Sequence, residues 1–147
     1  SLTTLSQVYF LQRQFEKAEA YAYESKQLYV ASGNLLLAAN SQRGLGFIKL
    51  FLGRPLESLA LLQETSAFSQ KIENLWGQAD SAWILARTHL ELGNYGEAIS
   101  LCRQAVEQTD GLGPPLFHRI AYSAWGVVQR AGVALAVISL FRTRFHK

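Results

Sequence analysis

Apolar residues along this chain fall at helical spacing, and the helices they predict come in pairs. Leu2, Leu5, Val8, Tyr9 and Leu11 are spaced three and four apart, as on one face of a helix. After Gln12-Arg13-Gln14, a second face runs through Phe15, Ala18, Ala22 and Ser25 to about Ala31, and Gly33 closes it. Leu35, Ala38, Ala39, Leu45, Ile48 and Leu52 predict a helix ending at Gly53. Pro55 suits the first turn of the next, which carries Leu59, Leu62 and Phe68. A third pair is expected over Leu75 to Leu92 and Tyr95 to Thr109, and a fourth over Leu116 to Arg130 and from Val133 onward, with a break at Gly132. No stretch alternates with period two for long enough to predict a strand. The pattern is all-α, and its short connections imply antiparallel hairpins.

These pairs repeat. Phe15-Glu16-Lys17-Ala18, Pro55-Leu56-Glu57-Ser58 and Tyr95-Gly96-Glu97-Ala98 stand roughly forty residues apart, as do Gly33-Asn34-Leu35, Glu73-Asn74-Leu75 and Gly113-Pro114-Pro115. Self-similarity of this kind marks a stacked array, in which each unit buries its apolar face only against its neighbours. The expected copies are residues 1–33, 34–73, 74–113 and 114–147, forming a single domain.

Composition narrows the function more than the fold. The chain is 49% apolar and 17% charged, so it is built to fold. Its densest apolar run, Val133 to Phe141, is too short for a membrane span of about 20 residues. With no methionine, the chain is expected to be a piece of a larger protein. A single cysteine, Cys102, leaves no intramolecular disulfide and fits a cytoplasmic setting. The net charge of +3 is scattered without a basic ladder, which argues against nucleic acid. His89, His118 and His146 have no metal-ligand spacing, and His89 and Ser81 lack an orienting acid. Gly44-Leu45-Gly46 and Gly111-Leu112-Gly113 follow no strand and lack a phosphate-loop lysine. No catalytic residue, cofactor or metal is expected.

The third copy resembles a tetratricopeptide repeat in Ala82, Trp83, Leu85, Ala86, Gly93, Tyr95, Ala98, Ile99, Ala105 and Val106. The second copy places Gly46 and Ser58 at the close-contact positions, the first Ser6 and Ala18, and the fourth Ala124, Trp125 and Val137. The resemblance implies a right-handed superhelix of about four hairpins. Forty-residue units with a Gly-Asn-Leu start are similar to the arrays of large bacterial ATPase regulators of the maltose-regulator, cyclase-linked or kinase-linked type.

In tetratricopeptide arrays the first helix of each pair lines a concave groove. Carried onto this sequence, that groove is Gln7, Asn40, Arg43, Phe47, Asp80, Trp83, Arg87, Arg119 and Tyr122. Aromatic anchors and forked arginine donors suit a protein or peptide segment. The competing expectation is that Phe47 and Trp83 are core between repeats. Phe47 stands where the family's carboxylate clamp has asparagine, so no such clamp is expected. The resemblance implies a non-catalytic binding scaffold in a bacterial signalling or transcriptional regulator. The alternatives are an effector-sensing module, marked by an enclosed pocket near Trp83 and Tyr122, and a dimerisation arm. The apolar segment 116–147 is expected to self-associate.

Overall fold

The computed structural model describes residues 2–71, 75–109, 125–136 and 138–140. Six helices lead: α1 (Leu2–Leu11), α2 (Phe15–Ala31), α3 (Leu35–Phe51), α4 (Pro55–Lys71), α5 (Leu75–Glu91) and α6 (Tyr95–Thr109). Residues 125–136 are also helical, and no strand occurs among the described residues. Each helix packs on the next in sequence, and α3 also touches α5. The chain is an all-α solenoid.

Four connections share one hydrogen-bonded turn. In the first, the Arg13 N–H donates to the Phe10 carbonyl and the Gln14 N–H reaches back to Tyr9. Gly33, Gly53 and Gly93 lead the other three through the same pattern, which satisfies carbonyls left over at a helix end. The second residue after each helix end takes positive φ, which is 77°, 73° and 81° at these glycines. Arg13 does so at 59°, with a Cβ that makes the left-handed region costly. Asn34 starts α3 by accepting the Leu37 N–H at 3.2 Å.

Small residues let paired helices approach. Ala86 and Ala98 are fully buried between α5 and α6. Ser6 donates its hydroxyl to the Ala18 carbonyl at 2.8 Å, tying α1 to α2. A Cβ added at Gly46 would stand 2.9 Å from Leu62 Cγ, too close for any side chain to be accommodated without movement. Between hairpins the core is shared. Ala18 and Ala22 pack with Leu45 and Ile48, then Leu62 with Ile84 and Leu85, then Ala98 and Cys102 with Val127 and Ala131. Each unit is thus shielded by its neighbour. Leu5 and Val8, the counterparts of buried Leu45 and Ile48, are exposed.

The expected break at Gly132 does not form. Residues 125–136 run helical straight through it, because Gly132 does not take the positive φ of the other three turn glycines. Val127 and Ala131 are one turn apart and bury against Ala86 and Leu90 of α5 and Ala98 and Cys102 of α6, which holds this helix on the third hairpin. Trp125, expected at a close contact, is 61% exposed instead. The rest of the fourth copy lies mostly outside the described residues.

Candidate binding groove

Helix periodicity sets the inner face. On α3, Asn40, Arg43, Gly44 and Phe47 are three or four apart, and on α5 so are Asp80, Trp83 and Arg87. Gln7 of α1 stands beside them. Two adjoining cavities, of about 420 and 480 Å³, share Thr3, Gln7, Asn40, Ser41, Gly44 and Phe47. Together they form one cleft between α1 and α3. Its apolar end is lined by Phe10, Leu11, Ala22 and Ile48, and its polar end by Arg43 and Asp80.

Arg43 differs from the forked, ligand-facing donor expected of it. It is 5% exposed, with Nε donating to Ser81 Oγ at 3.0 Å and Nη1 to Asn40 Oδ1 at 2.8 Å. Its direct partners are neutral, and Nη2 is buried without an acceptor. Burial pushes its pKa below the usual arginine value, and the charge of Asp80 opposes that shift. Asp80 in turn accepts the Trp83 indole N–H at 3.1 Å. Arg43 is a brace from α3 to α5 at the wall of the cleft.

Phe47 and Trp83 belong to an aromatic ladder. Trp83 meets Phe47 edge-on at 5.6 Å between centroids, and Phe47 continues to Phe51 at 5.1 Å and to Phe10 at 5.5 Å. Phe15 closes the cluster against Phe10 and Phe51. Arg87 lies over the rings of Phe47 and Phe51 at 5.7 and 5.1 Å, a cation–π cover. Burial lowers its pKa, nearby Arg130 adds to the effect, and Glu91 opposes it. Phe47 reaches both the ladder and the cleft; Trp83 and Arg87 are not among the residues lining the cleft.

The structure therefore brings Gln7, Asn40, Arg43, Phe47 and Asp80 to one cleft and holds Trp83 and Arg87 beside it in the ladder. Arg119 and Tyr122 lie outside the described residues. Thr3, Phe10, Ser41 and Gly44 line the cleft as well, outside the set expected from the repeat motif. Their signal was the forty-residue register, in which Gly44 stands where the next unit has Ile84.

Other polar groups serve the scaffold. Hydroxyls link Thr3 to Ser25 at 2.8 Å and Ser25 to Ser41 at 3.2 Å, joining α1, α2 and α3. Lys49 pairs with Glu19 and Glu57. Burial works against its charge, yet the two carboxylates outweigh it and raise its pKa. Cys102 is buried, which pushes its thiol up to about 11. His89 faces Asn94 at 3.1 Å. Among the described residues no cluster of three metal-ligating side chains occurs, and no helix is long and apolar enough to cross a membrane.

Residues 79–109 match the family model described as Tetratricopeptide repeat. That segment spans most of α5 and all of α6, including the close contact of Ala86 with Ala98. No curated protein matches the chain. Two crystal structures of a Podosopora anserina protein, described as a kinesin light chain with nearly identical TPR-like repeats, share its fold. They superpose with TM-scores of 0.68 and 0.69 at 19% and 20% identity. The match covers 99% and 98% of this chain, and 75% and 74% of theirs. At that identity the likeness is one of architecture.

Proposed function

We propose that the chain is a protein-interaction scaffold that holds a peptide or protein segment in the cleft between α1 and α3. The observation that carries this reading is the run of two cavities with six common lining residues, an extended trough beside Gln7, Asn40, Arg43, Phe47 and Asp80. An extended segment needs such a trough, with side-chain amides for its backbone and apolar wall for its side chains. The cavities at Gly44 form an open trough, which favours a segment over a small effector. The tetratricopeptide match in α5 and α6 supports the same reading. The scaffold acts by binding, with no chemistry of its own.

Its setting is part of the proposal. By resemblance, the forty-residue units support a cytoplasmic role as the sensor or docking part of a bacterial signalling or transcriptional regulator. Copies 1–33, 34–73, 74–113 and 114–147 make up its repeat domain. A second contact, of the chain with itself, is proposed through the apolar segment 116–147. Val133 and Leu140 support it, at 65% and 71% exposed.

The test is to select binders from a displayed peptide library and map them by backbone amide shifts. Perturbations on Gln7, Asn40, Gly44 and Phe47 are expected. Binders that perturb only α2, α4 and α6 would refute the groove.

A further inference from the structure

The forty-residue register compares two neighbouring junctions position by position. Where α5 meets the second hairpin, Ile84, Leu62 and Phe47 meet in one packed cluster. Their counterparts forty residues earlier are Gly44, Ala22 and Gln7. At all three positions the earlier junction has the smaller or more polar side chain, and all three line the cavity of about 420 Å³. A Cβ added at Gly44 would meet nothing within 4 Å. The earlier junction therefore keeps a half-open space where the later one is filled by its own side chains. It also has a cost, since glycine weakens a helix interior relative to alanine.

We propose that Gly44 is the specificity-determining position of the groove and opens a pocket for one bulky apolar side chain of a bound peptide. The chain itself shows what fits, because it supplies isoleucine, leucine and phenylalanine to the equivalent space one unit later. Phe10, Leu11 and Ile48 give the pocket its apolar wall. Asn40, Gln7 and Ser41 stand at its edge, where a peptide backbone requires donors and acceptors. The proposal rests on the groove reading above and adds to it which residue type enters and where.

Capped amino acids test the pocket without a known partner. N-acetyl-leucinamide, N-acetyl-phenylalaninamide and N-acetyl-glycinamide are titrated into the chain while backbone amide shifts are followed. The two bulky probes are expected to move Gln7, Ser41 and Gly44 saturably, and the glycine probe to leave them still. Gly44→Ile should abolish those shifts while melting at or above the parent temperature, and Gly44→Ala should weaken them only in part. Ala22→Leu fills the space from the opposite wall and should also abolish the shifts, but it should melt below the parent, because Ser6 carries a Cβ where Gly46 makes room for Leu62. Shifts that survive both filling variants, equal shifts from the glycine probe, or no shifts at all would overturn the pocket. Library-selected peptides separate the two readings. Inner-face binders indifferent to Gly44→Ile would leave the groove standing and remove the pocket, whereas absence of any inner-face binder would remove the groove.

Discussion

Gly46→Ala perturbs a close contact between α3 and α4. The new methyl would lie 2.9 Å from Leu62 Cγ and 3.0 Å from Cδ2. Carbon atoms prefer separations of about 3.5–4.0 Å, so the overlap is about half an ångström or more. Leu62 is fully buried and has no solvent to swing into. Overpacking of this kind costs about 1–3 kcal/mol. Removing a helix-interior glycine returns about 0.5–1 kcal/mol. The net loss is about 1–2 kcal/mol, or about 2–8 °C in melting temperature for a chain of this size. Leu62→Ala alone leaves a cavity and costs about 2–5 kcal/mol. In the double variant the methyl at 46 has room, so the pair should lose less than the sum by about 0.5–3 kcal/mol. Urea unfolding followed by helical circular dichroism reads all four species. A Gly46→Ala variant that melts above the parent, or single effects that add, would refute the argument. The same compensation is visible elsewhere, where Ser6 is matched with Ala22 and Ala86 with Cys102 at the equivalent positions.

Four further outcomes follow from the geometry. Arg13→Gly relieves a left-handed residue worth about 1–2 kcal/mol and adds unfolded-state entropy of about 0.5–1 kcal/mol, so a thermal melt should rise slightly. Arg87→Ala removes the cover from Phe47 and Phe51 and should cost about 1 kcal/mol in urea unfolding, with Arg87→Lys recovering only part. The Cys102 thiol, raised from 9.0 to about 11 by burial, gives stability that is whole below pH 9 and is lost as pH rises from 9 to 11. That loss reaches about 2–3 kcal/mol, and Cys102→Ala should flatten it in unfolding measured across this range. Sedimentation velocity should show concentration-dependent dimers that Leu140→Glu disperses; a monomer at every concentration would count against self-association.

The fold was legible because its determinants are local and repeated. Turn glycines at 33, 53 and 93, the small residues Ala86 and Ala98, and helical apolar spacing each act within one hairpin, and three copies reinforce the reading. Gly132 misled because a glycine permits a turn without requiring one. There, burial of Val127 and Ala131 against α5 and α6 kept the helix continuous. The groove was legible only as a face. Periodicity put Arg43, Phe47 and Trp83 on one side of their helices, but it did not say which atoms meet. Arg43 turned toward Ser81, forty positions less two along the chain, and the ladder from Trp83 to Phe15 crosses four helices. Those contacts depend on how hairpins stack. Gly44 was visible in the register but read as a failed phosphate loop, since an absent side chain announces itself only beside its filled counterpart Ile84.

A crystal structure of the chain with a library-selected peptide measures the central claim directly. The peptide is expected in the cleft between α1 and α3, with one bulky side chain over Gly44 and its backbone at Gln7 and Asn40. A peptide seated on the outer helices α2, α4 and α6, with the cleft unfilled, would contradict it.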